Sequence, residues 1–113
     1  MHEYALAQDI LTTIGEKVTP DFQKLGKINV DVGAFSGVVA ESLDFGIQTI
    51  LADKNAQGVL VNITKIPTRA QCQCGTEYEL TDVFCVCPSC QSIERNLLSG
   101  TDVVINSVEL LEE

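Results

Sequence analysis

The chain predicts an α+β fold (α/β in the broad sense): two helices packed on a small three-stranded sheet, with a zinc-ribbon module inserted before the last strand. Three observations predict it. Apolar residues recur at three- and four-residue steps in two separate stretches, which is the helical period. Three other stretches are short, apolar and rich in β-branched residues, as strands are. All five cysteines fall between Cys72 and Cys90, where apolar periodicity lapses.

From Glu3 to Val18, the residues Ala7, Ile10, Leu11, Ile14 and Val18 share one helical face. Pro20 closes this helix, and Lys17 near its end suits the helix dipole. Ile28, Val30 and Val32 alternate with Asn29 and Asp31, a strand that stops at Gly33. Helical spacing returns from Val38 to Ala52 through Val39, Leu43, Ile47, Ile50 and Leu51. The polar run 53–58 connects it to a second strand, Val59 to Ile66, which ends at Pro67. After Gly100, the residues Val103, Val104, Ile105, Val108 and Leu110 form a third strand. The sheet needs that strand, so residues 69–98 are read as an excursion flanked by hinge points at Pro67 and Gly100. The expected division is therefore one domain of residues 1–68 plus 99–113 and a cysteine module of residues 69–98.

Composition narrows the function. The chain has 113 residues, 45% of them hydrophobic and 20% charged, enough apolar material for a core. Sixteen acidic against seven basic residues give a net charge of -9. Nucleic-acid binding runs on cationic neutralisation of phosphate, so no nucleic-acid partner is expected. Nothing approaches a membrane span. The opening Met-His-Glu-Tyr lacks a basic segment followed by an apolar one, so no secretory signal is read and a cytoplasmic location is expected. Proteins, cations and small molecules remain as partners.

The cysteines read Cys72-Gln-Cys74-Gly75 and Cys87-Pro88-Ser89-Cys90, with Cys85 just before the second pair. Two short turns that each deliver two thiolates can complete a tetrahedron around zinc, at about 2.3 Å per sulfur. Gly75 suits a turn that needs positive φ, and Pro88 stiffens the second. Such a closed site is structural and can supply on the order of 10 kcal/mol of folding free energy to a module without its own core. The preferred ligand set is Cys72, Cys74, Cys87 and Cys90. Cys85 is then a free thiol or a substitute ligand. Four thiolates suit iron as well, so a rubredoxin-like electron carrier remains a rival.

His2 is the single histidine. With Met1 retained, its amine, the His2 backbone nitrogen and the His2 imidazole lie on consecutive short chelate rings, and Glu3 can add an oxygen. Mixed nitrogen and oxygen donors of this kind suit Ni(II) and Cu(II). The plain alternative is a solvated chain end, with Glu3 a first-turn acid that favours the helix N-terminus.

The opening Met1-His2-Glu3-Tyr4, the two paired-cysteine knuckles late in the chain and the closing strand Val103 to Leu110 together resemble the HypA family of hydrogenase and urease nickel-incorporation proteins. The resemblance covers essentially the whole chain. It implies a metallochaperone with nickel at the amino terminus and structural zinc in the inserted module. His2 would be the principal nickel ligand, helped by the Met1 amine, its own backbone nitrogen and Glu3. Cys72, Cys74, Cys87 and Cys90 would hold zinc. Glu41 falls where relatives can carry an acid near the nickel end. The implied partners are a nickel-handling GTPase and the precursor of the nickel enzyme, a hydrogenase large subunit or urease. The first knuckle departs from the family's C-x-x-C by one residue.

Two other functions compete with nickel delivery. A zinc-ribbon adaptor for protein interaction would leave His2 without a role, and a rubredoxin-like carrier would be red. No enzyme is expected, because no second histidine, phosphate-cradling glycine motif or activated nucleophile is present.

Overall fold

The computed structural model describes residues 2–82 and 84–112. Its elements are α1 (Glu3–Lys17), β1 (Leu25–Gly33), α2 (Ala40–Asp53), β2 (Leu60–Ile66), β3 (Thr68–Cys72), β4 (Glu77–Leu80), β5 (Arg95–Ser99) and β6 (Val103–Leu110), with one 3-10 turn at Phe22–Lys24. The strands form two three-stranded sheets, β2-β1-β6 and β4-β3-β5.

In the first sheet, β1 runs parallel to β2, with α2 as the crossover, and antiparallel to β6. Alternation in β1 decides which side meets the helices. Ile28, Val30 and Val32 are buried, while Asn29 and Asp31 face outward. There Asn62 donates to Asn29, Asn29 to Ser107 and Asn106 to Asp31, a polar ladder across the uncovered face. In β6 the half-buried residues are Val103, Ile105 and Val108, a break in the two-residue period. A register shift explains it: Asn29 pairs with Ser107 but Val30 with Ile105, so Asn106 is bulged out and the strand changes face.

The helices complete the first core. Ala7, Ile10, Leu11 and Ile14 of α1 and Leu43, Ile47 and Leu51 of α2 are buried against Ile28 and Val30. Gly46 lets the two helices approach closely, because a Cβ there would lie 3.2 Å from that of Ala7.

The second sheet has a separate small core of Ala70, Cys72, Tyr78, Leu80 and Cys87. Two cores arranged in sequence make the molecule long, 55 × 26 × 19 Å, with a radius of gyration of 17.3 Å. A single compact body of this length would give about 13 Å.

The cysteine module read at residues 69–98 carries a sheet that its sequence does not announce. Its strands have four or five residues, only one of their five buried positions (Leu80) carries an aliphatic larger than alanine, and β5 is exposed along most of its length. Too few aliphatics alternate there to announce strands. Pro67 and Gly100, read as hinges, lie instead in a tied junction. The Gly100 carbonyl accepts from the Phe35 N–H at 3.0 Å and the Thr68 hydroxyl at 2.8 Å, and the Ala34 N–H donates to Ile66 at 2.8 Å. Gly100 has φ +80°, and a Cβ on Gly33 would meet its carbonyl group at 2.3 Å. Both crossing strands are thus held by the loop that follows β1.

Candidate metal centres

Cys72 ends β3, Cys74 lies in the turn to β4, and Cys87 and Cys90 lie in the loop before β5. Their four sulfurs all fall within 4.8 Å of one another. Cys72 and Cys90 are 3.3 Å apart and Cys74 and Cys87 3.6 Å. These separations exceed a disulfide bond and lie close to the edge of a zinc–thiolate tetrahedron, about 3.8 Å. Cys85 stands apart. Its sulfur lies 3.9 Å from the Glu79 and Val86 carbonyl oxygens, half-buried against the second core.

The two knuckles are variants of one turn. In the second, the Gln91 N–H donates to the Cys87 carbonyl, the Cys87 N–H donates to Ser92, and Gln91 has φ +66°. In the first, the Gly75 N–H donates to the Cys72 carbonyl, the Cys72 N–H donates to Thr76, and Gly75 has φ +96°. The short pair is the longer turn with one residue removed, and both keep a left-handed residue just after the second cysteine. Lost with that residue is a counterpart to Ser89, whose N–H points at the Cys87 sulfur at 3.4 Å. The Thr76 hydroxyl spans the knuckles by donating to Ser89 at 3.0 Å. Neither Thr76 nor Gln91 carried a sequence signal for the site.

The electrostatics of the four thiols is lopsided. The Thr76 hydroxyl and N–H beside Cys74 hold its thiol down at about 6. The Cys90 and Ser89 N–H groups lower Cys87. Cys90 also has an N–H pulling it down, from Ser92, but the thiols of Cys72, Cys74 and Cys87 and the loss of solvent outweigh it and push Cys90 up to about 12. Four thiolates this close repel one another, so by themselves they cannot all ionise. A divalent cation removes that conflict. The donor set and its spacing fit a closed structural metal site.

The amino-terminal candidates lie on the first sheet's helices. Met1 falls outside the described residues. His2 heads α1, where its carbonyl accepts the Leu6 N–H at 3.0 Å and its side chain is exposed. Glu3 Oε2 accepts the Val39 N–H at 3.1 Å, and this contact lowers the carboxyl below its usual range. Glu41 stands two residues beyond Val39 and reaches Lys65 at 3.8 Å, with both side chains more than two-thirds exposed. An ion pair so exposed contributes little. His2 and Glu3 therefore stand together at the head of α1 against the start of α2, whereas Glu41 turns to Lys65 on β2 and lines a separate cavity.

Comparison with known proteins agrees in extent and in fold. The family model described as hydrogenase/urease nickel incorporation, metallochaperone, HypA matches residues 1–110. The hydrogenase maturation factor HypA of Dehalococcoides mccartyi is 30% identical, with 100% of this chain and 97% of the relative covered. That of Desulfosudis oleivorans is 32% identical over 99% and 100% of the two chains. The solution structure of the Ni metallochaperone HypA from Helicobacter pylori superposes with a TM-score of 0.67 at 19% identity over the full length of both, a likeness of fold. Among the described residues no helix is long and apolar enough to cross a membrane. The chain belongs to the HypA family of hydrogenase/urease nickel-incorporation metallochaperones, and it is a maturation factor rather than an enzyme.

Proposed function

We propose that this protein binds Ni(II) at its amino terminus and delivers it during maturation of a nickel enzyme, a [NiFe]-hydrogenase before a urease. The Met1 amine and the backbone nitrogen and imidazole of His2 supply nitrogen donors, and Glu3 supplies an oxygen. The observation that carries this reading is the position of the single histidine, exposed at the head of α1 beside an acid already held in place. A cargo site must release its ion, so an open, incomplete coordination sphere at a surface suits it better than a closed cage. Oε2 of Glu3 holds Val39, which leaves Oε1 for the metal.

The closed cage is the other site. Zinc, held by Cys72, Cys74, Cys87 and Cys90, stabilises residues 69–98 as a module set against the nickel-binding domain of residues 1–68 and 99–113. Cys85 is not a ligand. The partners are a nickel-handling GTPase and the hydrogenase large-subunit precursor, and the acidic surface suits basic faces on both. The protein works in the cytoplasm.

The test is calorimetric titration of the zinc-loaded, untagged protein with nickel, beside His2→Ala. The expected result is about one nickel per wild-type chain, lost in the variant, with about one zinc kept by both. Equal nickel binding by both proteins would overturn the reading and leave a zinc-ribbon adaptor. Iron in a red preparation would overturn the zinc assignment.

A further inference from the structure

The shorter knuckle, Cys72-Gln73-Cys74, has no residue to match Ser89, whose N–H points at the Cys87 sulfur at 3.4 Å. A side chain lies at its sulfur instead. Thr76 Oγ1 is 3.3 Å from the Cys74 sulfur and 3.0 Å from Ser89 Oγ, so two hydroxyls join the first knuckle to the second outside the cluster. The corresponding position after the second knuckle is Ser92, two residues beyond Cys90. Its hydroxyl is engaged elsewhere, accepting the Glu94 N–H at 3.0 Å. Among the described residues, only the short knuckle sets a hydroxyl on a ligand sulfur.

We infer that Thr76 is a positioning residue of the metal site: its hydroxyl donates to the Cys74 thiolate when the metal is bound, holds that sulfur in place and slows loss of the ion through the short knuckle. The inference rests on the reading of the four cysteines as a zinc site. As a thiol, Cys74 donates to Thr76, and Thr76 donates to Ser89. A metal-bound thiolate has no proton to give, and it repels a lone pair turned toward it. A hydroxyl carries one proton and two lone pairs. Rotation of the Thr76 and Ser89 hydroxyls therefore reverses the chain with every heavy atom in place: Ser89 donates to Thr76, and Thr76 donates to the sulfur. A hydrogen bond to a charged acceptor is of the stronger kind. Cys74 is the ligand that needs it, because it is exposed while its pair-mate Cys72 is buried, and a competing chelator or water reaches an exposed thiolate first.

The test uses the full zinc-loaded chain and follows zinc transfer to a chromogenic chelator. Thr76→Val keeps the branched shape and removes the hydroxyl. It should release zinc about tenfold faster than wild type, and Thr76→Ser should restore the wild-type rate. A role in packing alone would give the reverse order, because valine keeps the methyl group and serine loses it. Ser89→Ala leaves the Thr76 hydroxyl free to turn to the sulfur, so it should speed release less than Thr76→Val does. With cadmium-113 in place of zinc, the metal resonance should move in Thr76→Val and return in Thr76→Ser. Loss of zinc altogether in Thr76→Val, with retention in Thr76→Ser, is the same result in stronger form. Equal rates in wild type and Thr76→Val, a Thr76→Ser as fast as Thr76→Val, or a Ser89→Ala faster than Thr76→Val would overturn the proposal. A wild-type chain that holds no zinc would overturn the metal reading itself, whereas equal rates from chains that do hold it remove only the role of Thr76.

Discussion

Glu3 of α1 accepts the Val39 N–H at 3.1 Å, so an acid in the first turn of one helix satisfies the start of the other. Val39 is the N-cap of α2 and offers no capping side chain of its own. The contact pins the two helices at their amino ends, while the approach of Gly46 to Ala7 sets their separation further along. The residue that sequence offers as a nickel ligand therefore has a structural duty as well.

That duty is pH-dependent. The Val39 N–H lowers the Glu3 carboxyl below its ordinary 4.5. A group whose pKa is lower in the folded state stabilises above the unfolded pKa and loses that contribution as pH falls through the folded one. The Val39 amide resonance should therefore titrate with a midpoint below 4.5 in the wild type. Glu3→Gln should abolish the titration yet keep an acceptor for Val39. A midpoint at or above 4.5 would show that the contact does not stabilise the carboxylate in solution.

The division of the cysteines into four and one is checked by metal content. Serine at Cys72, Cys74, Cys87 or Cys90 removes a soft ligand and should drop bound zinc well below about one per chain. Cys85→Ser should retain it. Zinc loss in Cys85→Ser, with retention in any of the other four, would reassign the ligand set.

Removing the metal should act on one end of the molecule. The second core holds five buried residues, and two of them, Cys72 and Cys87, are members of the cluster. A strong chelator should collapse the amide dispersion of β3, β4 and β5, with a loss of folding free energy on the order of 10 kcal/mol for that part. The resonances of α1, α2 and β1 should persist, because their core contains no cysteine. Unchanged β3–β5 amides after verified metal loss would make the site dispensable for folding.

The junction between the sheets should tolerate no side chain at Gly100. A Cβ there would lie 2.5 Å from the Pro67 carbonyl oxygen, and the residue holds φ +80°. Gly100→Ala should destabilise by about 3 kcal/mol or more, since strain at positive φ and a backbone clash add. Denaturant unfolding measures it, and a loss under about 1 kcal/mol would mean the linkers separate at little cost.

Much of the first sheet and its two helices is legible in the periodicity. Within α1, α2 and β1 the buried side chains are aliphatic residues at the spacings their backbones impose, whereas Val18 and Val39, read onto the helical faces, are exposed caps just beyond the helices. The apolar content of Val103–Leu110 marks the closing strand, which spans those residues. Its bulge at Asn106 is not legible in sequence, because a one-residue slip leaves no mark beyond a broken alternation. The second sheet escapes for a different reason: its strands of four or five residues pair around a four-cysteine cluster and bury few aliphatics.

For the sites, sequence determined chemistry. Residue type and spacing along the chain establish that Cys72, Cys74, Cys87 and Cys90 can offer soft donors in two pairs, and that His2 stands alone as an imidazole. Only the tertiary structure decided which thiols meet, because Cys85 is as close to Cys87 in sequence as Cys74 is to Cys72, yet its sulfur points elsewhere. Only the tertiary structure also brought Val39 to Glu3 and set Phe45 beside His2. Local spacing governs what a short turn can present, whereas contacts between distant segments follow from how the helices and sheets pack.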